Sequence, residues 1–532
     1  MGQIQRNQSG IFQEVISRFL KIKDLFLDIL RTIAHRLNIV GAFKELGSTP
    51  ERRRILLCLS VAQLLMQLSQ LPITIAVPSV ARHFDISYTQ GAWMVVIRLL
   101  ILGSTVFLAA RLGQRYGTLK IFFIGLILLT VSSALAASSQ YYLQLLLWSA
   151  GVGFGGALIS ANLNSLLVLG FKDTERGRAF AVPITSARMG TMIGLVVFGL
   201  LLEYMHPALG WRMVFLTSVP IGVFALWLTW PLFKFDLVKK ADSEESQPLG
   251  IVGPTLMIAS LLAFILMGIH LHTLWDAGPD SFVTETALVY HPAMLVVFLS
   301  LFLIFFVIQL ASKQPFLNFG YFKQTYFSMA LFSNTTFHLS MLSVLTLMPI
   351  IVEVGLGFSP SVTMLVLLPH QSMGLFLPVI AGWIYDRYQP KWLRPASLLL
   401  IAVGIGLLGL FAHQIPIYIL PVLLFPASIG SALFNSPNNA LVMNTLPQDR
   451  SFASGMLETT RQMGHTVGTI TAAAIVGLSV PIVADAVSLI ELQQSYIQGF
   501  RNSALTVVWI MLAGSIVAMF QYKGNKQTKQ ET

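Results

Sequence analysis

Amide and hydroxyl side chains follow one face of the first long apolar segment. They recur at intervals of four, three and four residues, the period of a helix face, and they are Gln63, Gln67, Gln70 and Thr74. Polar groups at bilayer depth must find partners, so this face should contact protein or a watery cavity. Because an amide binds by hydrogen bonds and takes up no proton near neutral pH, the pattern predicts a binding or packing face.

Ionisable residues in later apolar segments form a second set. A charge at bilayer depth is unfavourable by about 2.5–3.5 kcal/mol on insertion scales, so such residues are functional candidates. We predict proton coupling at Glu458 with His370 or His465, since histidine has a reference pKa of about 6.5. Two alternatives stay open: Glu458 and Arg461 form an ion pair as i,i+3 neighbours, and the histidines are core residues.

Arginines and asparagines extend the candidate surface. Arg98 and Arg188 either pair with backbone carbonyls or line a cavity that favours an anionic substrate. The asparagines are cavity donors or contacts between helices. The predicted substrate-binding set is Gln63, Gln67, Gln70, Thr74, Arg98, Asn162, Asn435 and Asn439.

Composition places the chain in a membrane. Of its 532 residues 55% are hydrophobic and 11% charged, whereas soluble proteins carry about 25% charged residues. Long apolar runs therefore predict an all-α polytopic membrane protein. The net charge of +11 does not indicate nucleic-acid binding, because the basic residues lie mainly in alternate short loops. The single cysteine, the loose spacing of the other possible ligands and the lack of a nucleophile–base pattern predict no metal, no cofactor and no enzyme.

Hydropathy predicts about fourteen spans in the order six, two, six, the first over 55–80. The basic loops place both termini and the linker in the cytoplasm of a plasma membrane, the inner membrane in a bacterium. An amphipathic helix over 11–37 either lies on the membrane or packs on cytoplasmic loops. The predicted domains are a cytoplasmic segment with this helix (1–54), a first six-helix bundle (55–232), a cytoplasmic linker (233–250), two additional helices (251–310), a second six-helix bundle (311–522) and a tail (523–532).

Short motifs in a fixed order carry a family resemblance. Among them are WRMVF at 211–215, LLP at 367–369, GWIYDR at 382–387 and RQMG at 461–464. In this order the chain resembles the fourteen-helix drug:proton antiporter branch of the major facilitator superfamily over roughly 50–522. The resemblance implies the major facilitator fold, with two six-helix bundles around a central cavity and two extra helices between them.

The chain departs from the family pattern in its first half. The family usually has an acidic residue in the first helix, an aspartate in the loop after the second, a buried arginine in the fourth and a proline in the fifth. The matching residues here are, in that order, Ser69, Gln114, Leu147 and Leu195. The cytoplasmic Asp386–Arg387 pair of the second half is kept. The resemblance therefore implies a transporter frame whose first half lacks the usual proton machinery. The predicted conformational residues are Gln114, Arg115, Asp386, Arg387 and Arg461.

We therefore predict a monomeric secondary transporter that exports amphiphilic or lipid-like organic molecules by alternating access. Its partners are the lipid bilayer, a small-molecule substrate that is amphiphilic or anionic, and protons as the candidate coupling ion. One alternative is an organic-anion facilitator without proton exchange. The other is a non-transporting scaffold or receptor with a transporter fold.

Overall fold

The computed structural model describes residues 39–70, 73, 76–86, 88–235, 252–277, 282–312, 315, 317–358, 360–477, 479 and 489–520. Within these ranges the regular secondary structure is helical and contains no strand. Eleven helices of this part are long and apolar enough to cross a membrane. The predicted all-α polytopic fold is confirmed.

The first half of the chain forms one helical bundle. Its longest helices begin and end close to the predicted spans, and α8 and α9 together occupy the sixth. The helices are α1 (Ile39–Leu46), α2 (Pro50–Leu68), α3 (Val77–Phe84), α4 (Tyr88–Tyr116), α5 (Thr118–Ala137), α6 (Tyr142–Gly170), α7 (Arg176–Tyr204), α8 (Pro207–Leu216) and α9 (Ser218–Thr229).

The first predicted span is not one continuous helix. Helix α2 ends at Leu68. Beyond it, the Ser69 hydroxyl donates to the carbonyl of Leu65 at 2.8 Å, and the Ser69 carbonyl accepts from Arg98 at 2.8 Å. Polar partners thus satisfy groups that a helix end leaves unpaired. Gln70 consequently follows the helix that carries Gln63 and Gln67, so the predicted continuous face was wrong beyond Leu68.

The described residues of the middle and second half form nine further α-helices. Helices α10 and α11 pack on each other, and α10 also contacts α4 and α17. One π-helical turn, Ile350–Gly355, extends α12, and the turn 374–376 separates α13 from α14. The helices are α10 (Val252–Ala277), α11 (Phe282–Ala311), α12 (Thr325–Pro349), α13 (Pro360–Met373), α14 (Leu377–Tyr388), α15 (Leu393–Phe411), α16 (Leu420–Thr445), α17 (Arg450–Gly477) and α18 (Leu489–Phe520).

The apolar core of the first bundle continues into the second at one end of the molecule. Phe107 and Phe122 lie in the same buried cluster as Val442, Met443 and Phe452. The rings of Phe107 and Phe452 meet edge to face, with centroids 5.7 Å apart. Since lipid is as apolar as these side chains, close packing rather than the hydrophobic effect stabilises this junction.

Candidate functional site

Contacts between the bundles gather at the end where Arg111, Arg176 and Arg178 lie, which we call the basic end. Helices α4, α6 and α7 of the first bundle contact α14, α16 and α17 of the second. Arg176 donates to the Asn444 amide oxygen, and it also pairs with Asp173 at 2.7 Å. The Ser454 hydroxyl donates to the carbonyl of Ala161. The bonds of Arg176 to Asn444 and of Ser454 to Ala161 hold the bundles together at this end.

Asp386, at the end of α14, binds the first turn of α7 in the other bundle. Its carboxylate accepts from the backbone N–H of Gly177 at 2.7 Å and of Arg178 at 2.9 Å. The Arg178 side chain also donates to it at 3.0 Å. A carboxylate at a helix start satisfies unpaired donors and favours the helix dipole. Asp386 therefore caps a helix of the opposite bundle.

Two glycines allow this cap to form. A Cβ added to Gly177 would lie 2.6 Å from Asp386 Oδ1 and 2.7 Å from the Gly382 carbonyl oxygen. The Ser436 hydroxyl of α16 donates to the Gly177 carbonyl. Helices α7 and α14 thus approach to backbone contact, which only residues without a side chain permit.

Gln114, where the family pattern has aspartate, contacts Arg111 of its own helix. Arg111 donates to the Gln114 amide oxygen and, at 3.2 Å, to Asp449 Oδ2 of the second bundle. Asp449 Oδ1 accepts from the backbone N–H of Phe452 at 2.9 Å and so caps α17. The charge absent from position 114 is thus supplied by Asp449.

Aromatic rings surround this ion pair. The Arg111 guanidinium lies 5.7 Å from the ring centroid of Phe107 and 5.4 Å from that of Phe452. Tyr321 contacts Phe452 with ring centroids 4.9 Å apart. Burial raises the pKa of Tyr321, and the Asp449 carboxylate raises it further. Both side chains of the pair are about nine-tenths buried, so their ionic contact is stronger than it would be in water.

Midway along α7, Arg188 reaches the second bundle. Its guanidinium donates to the Gln371 amide oxygen of α13 at 2.7 Å and to the Ser431 hydroxyl of α16 at 3.4 Å. Arg188 lies about 18 Å along the helix from Arg176 at 1.5 Å per residue. This depth is near the centre of a bilayer about 30 Å thick.

The predicted histidines have polar partners in the second bundle. His370 Nδ1 lies 2.8 Å from the Ser428 hydroxyl. His465 Nε2 lies 3.1 Å from His338 Nδ1, which joins α17 to α12. The spacing of His465 gave no indication of this imidazole pair, because its two members lie on helices far apart in the chain.

Glu458 is 3% exposed and accepts two bonds from its own helix. The donors are Arg461 and, at 3.2 Å, the Gln462 amide. This is the intrahelical ion pair that the spacing offered as one alternative. Proton uptake by Glu458 would require this pair to open or to weaken.

Arg98 and Asn162 lie inside the first bundle. Arg98 is 3% exposed; besides the Ser69 carbonyl, its guanidinium contacts Ser149 at 3.4 Å and lies 4.9 Å from the Phe215 ring centroid. The Asn162 amide donates to the carbonyls of Ala109 at 3.2 Å and Leu158 at 2.8 Å. Their roles in substrate binding stay predictions.

The remaining predicted residues divide by position. Gln63 is buried and Gln67 half-buried on α2, Asn435 and Asn439 are half-buried on α16, and Thr74 lies outside the described residues. Arg115 and Arg387 are exposed next to the basic-end contacts.

Sequence reasoning missed Asp449 and Arg178. The Asp–Arg–Ser start of α17 is a helix-capping signal that could have indicated Asp449.

Two helical bundles joined at one end define a membrane transporter of the alternating-access type, and sequence comparison specifies its family. The Major Facilitator Superfamily profile matches residues 59–469 and also 330–521. The chain belongs to this superfamily. It is a secondary transporter and a multi-pass membrane protein, as the sequence predicted.

Relatives and a solved structure agree with this placement. The riboflavin transporter RibZ of Clostridioides difficile is 25% identical over 416 residues, 78% of this chain and 86% of that protein. The multidrug efflux pump LfrA of Mycolicibacterium smegmatis is 26% identical over 430 residues, 80% of this chain and 81% of that protein. The proton:xylose symporter XylE has a similar fold, with a TM-score of 0.57 at 15% identity, over 86% of this chain and 95% of that one.

Proposed function

We propose that this transporter exports amphiphilic organic molecules from the cytoplasm by alternating access. The observation that carries the proposal is the double closure of the basic end, by Asp386 on α7 and by Arg111 with Asp449. Positively charged loops face the cytoplasm, so the closed end is the cytoplasmic one. The described state is then closed on the cytoplasmic side, as alternating access requires in one part of the transport cycle.

The substrate-binding surface in this proposal combines amides with apolar groups. Gln63 and Gln67 of α2 would form one wall, and Asn435 and Asn439 of α16 the opposite wall. Amides donate and accept hydrogen bonds without charge, which suits molecules with a polar ring system and an apolar body. The similarity to a riboflavin transporter and to a multidrug efflux pump supports this substrate class.

Proton coupling, in this proposal, uses Glu458 with His370 or His465. Opening of the Glu458–Arg461 pair would expose the carboxylate, and a wet cavity would let a histidine relay the proton. We propose that the chain acts as a monomer, since both bundles and the interface between them come from one chain.

Flux through purified protein in liposomes tests the proposal. The probes are riboflavin and ethidium, measured with and without an imposed pH gradient, and the variants are wild type and Glu458→Gln. We expect flux of at least one probe above that of empty liposomes, with a pH-gradient dependence that Glu458→Gln removes. Flux that ignores both the gradient and the substitution contradicts proton coupling. Absence of flux for both probes contradicts the exporter and favours the scaffold alternative.

A further inference from the structure

Arg188 is a cation between the bundles whose partners in the described part of the chain are neutral. Its two hydrogen bonds go to the amide oxygen of Gln371 and the hydroxyl of Ser431. Arg188 is half-buried, and a partly desolvated charge that lacks an opposite charge keeps part of its desolvation penalty. Binding of an anion beside Arg188 would therefore lower the free energy of the site.

Arg188 differs from three other arginines in its position and in its lack of a carboxylate partner. Arg178, which also contacts the second bundle, pairs with Asp386, and Arg461 pairs with Glu458. Arg98 is enclosed by its own bundle, where Ser69 and Phe215 surround it. Arg188 alone among these four both bridges the bundles and lacks a carboxylate partner.

The α-helix opposite Arg188 is interrupted by a turn. Residues 374–376 form a turn between α13 and α14, within the apolar span Leu365–Tyr388. A Cβ on Gly374 would lie 2.9 Å from Arg188 Cγ and 3.0 Å from Nε, so the glycine makes room for the guanidinium. The backbone N–H groups of residues 374–376 each donate to a carbonyl three residues earlier, so the break leaves these donors satisfied. Helices broken at membrane depth are common at transporter binding sites.

Histidines lie close to the contacts of Arg188. His370 adjoins Gln371, and its hydrogen-bond partner Ser428 lies one turn of α16 from Ser431. The charge of Arg188 also reaches His338 and His465. Each imidazole can offer an N–H donor to a negatively charged oxygen. The surroundings thus combine one fixed cation, several neutral donors and no acidic partner for Arg188 among the described residues.

We propose that Arg188 binds an anionic group of the transported molecule, a carboxylate or a phosphate. The anion would replace Gln371 and Ser431 as acceptor, because a guanidinium binds such groups by two parallel hydrogen bonds. This inference rests on the proposed function and narrows its substrate class to amphiphilic organic anions. It also gives the substrate a direct effect on the contacts between the bundles, since the replaced partners belong to the second bundle.

Binding to the purified full-length protein in detergent tests this site without any need for flux. The probes are matched pairs: riboflavin against flavin mononucleotide, and 1-naphthylmethanol against 1-naphthoate. We expect the anion of at least one pair to bind more tightly than its neutral partner. Arg188→Gln should weaken anion binding by about tenfold or more, as loss of a charge-assisted bond implies, and should change neutral binding by less than about twofold.

Three further variants separate the site from general effects. Arg188→Lys keeps the charge and should retain part of the anion preference. Gln371→Glu places a carboxylate beside Arg188 and should abolish the preference even if Arg188→Gln fails to fold. Arg501→Gln makes the same chemical change at an exposed position of α18 and should leave binding as in wild type.

Several results would overturn the proposal. These are equal binding within both pairs, no anion binding, or a preference that survives both Arg188→Gln and Gln371→Glu. The proposed function can fail separately. Flux of a neutral probe without any anion preference rejects only the anion site, whereas Arg188-dependent anion binding without flux of any probe in liposomes rejects only the exporter.

Discussion

Arg111 of the first bundle donates a hydrogen bond across 3.2 Å to Asp449 of the second, and both side chains are about nine-tenths buried. The same carboxylate caps α17, the helix that carries Glu458 and His465. One ion pair therefore connects the closure of the basic end with the start of the helix proposed to handle protons.

Removal of the Asp449 charge should open the basic end. Asp449→Asn keeps a good helix cap but loses the ion pair, so we expect the closed state to weaken by about 1–3 kcal/mol. Distances between spin labels on α4 and α17 near the basic end would show a larger open population. Arg111→Gln should have a similar effect, and the double variant should add little. Additive effects of the two substitutions would contradict direct coupling.

A methyl group at Gly177 should prevent full closure. Gly177→Ala places its Cβ against Asp386 Oδ1 and the Gly382 carbonyl, at 2.6 and 2.7 Å, so α7 must move away from α14. We expect increased modification by a membrane-impermeant reagent of a cysteine introduced near residue 386. Gly199→Ala is the control on the same helix, because a Cβ there meets nothing within 4 Å. Equal labelling in the two variants would contradict the close approach.

Substitution of Asn162 should compensate for the loss of stability caused by substitution of Gly113. The nearest atoms to a Cβ on Gly113 all belong to the Asn162 side chain, so Gly113→Ala alone should lower the thermal unfolding temperature strongly. Asn162→Ala loses bonds to Ala109 and Leu158 and should cost about 1–3 kcal/mol. We expect the double variant to be more stable than Gly113→Ala alone. If the double variant is the least stable of the three, the observed contact is wrong.

Glu458 and Arg461 should depend on each other for stability. Glu458→Gln leaves Arg461 without its carboxylate, and a broken buried pair can cost about 3–5 kcal/mol; because Arg461 is only half-buried, we expect less. Unfolding in detergent should show that Glu458→Gln combined with Arg461→Gln restores part of the loss. No restoration would argue that Glu458 acts independently of Arg461.

Sequence reasoning predicted the fold well because its signals are local. Apolar runs of membrane length and the uneven distribution of basic loops mark the spans, and the motif order indicated the family. The break after Leu68 was missed, because the residues around it remain apolar enough to continue a span. Its polar partner, Arg98, comes from another helix.

The site was only partly predictable for a related reason. Spacing identified Glu458 with Arg461, since both lie on one helix. It could not join Arg111 to Asp449, because such pairs depend on how separate helices meet. Asp386 was singled out by its motif, but its role as a cap for the opposite bundle follows only from the three-dimensional arrangement.

The turn at 374–376 leaves α14 as a short, stiff rod of 12 residues. One end of the rod begins beside the Arg188 region, and Asp386 lies about 14 Å along it at 1.5 Å per residue. A tilt of α14 that begins at its first residue, near Arg188, would therefore move Asp386 away from α7 without bending α13. One rotation of α14 as a rigid body would thus connect binding of the anion near Arg188 with release of the Asp386 contact on α7.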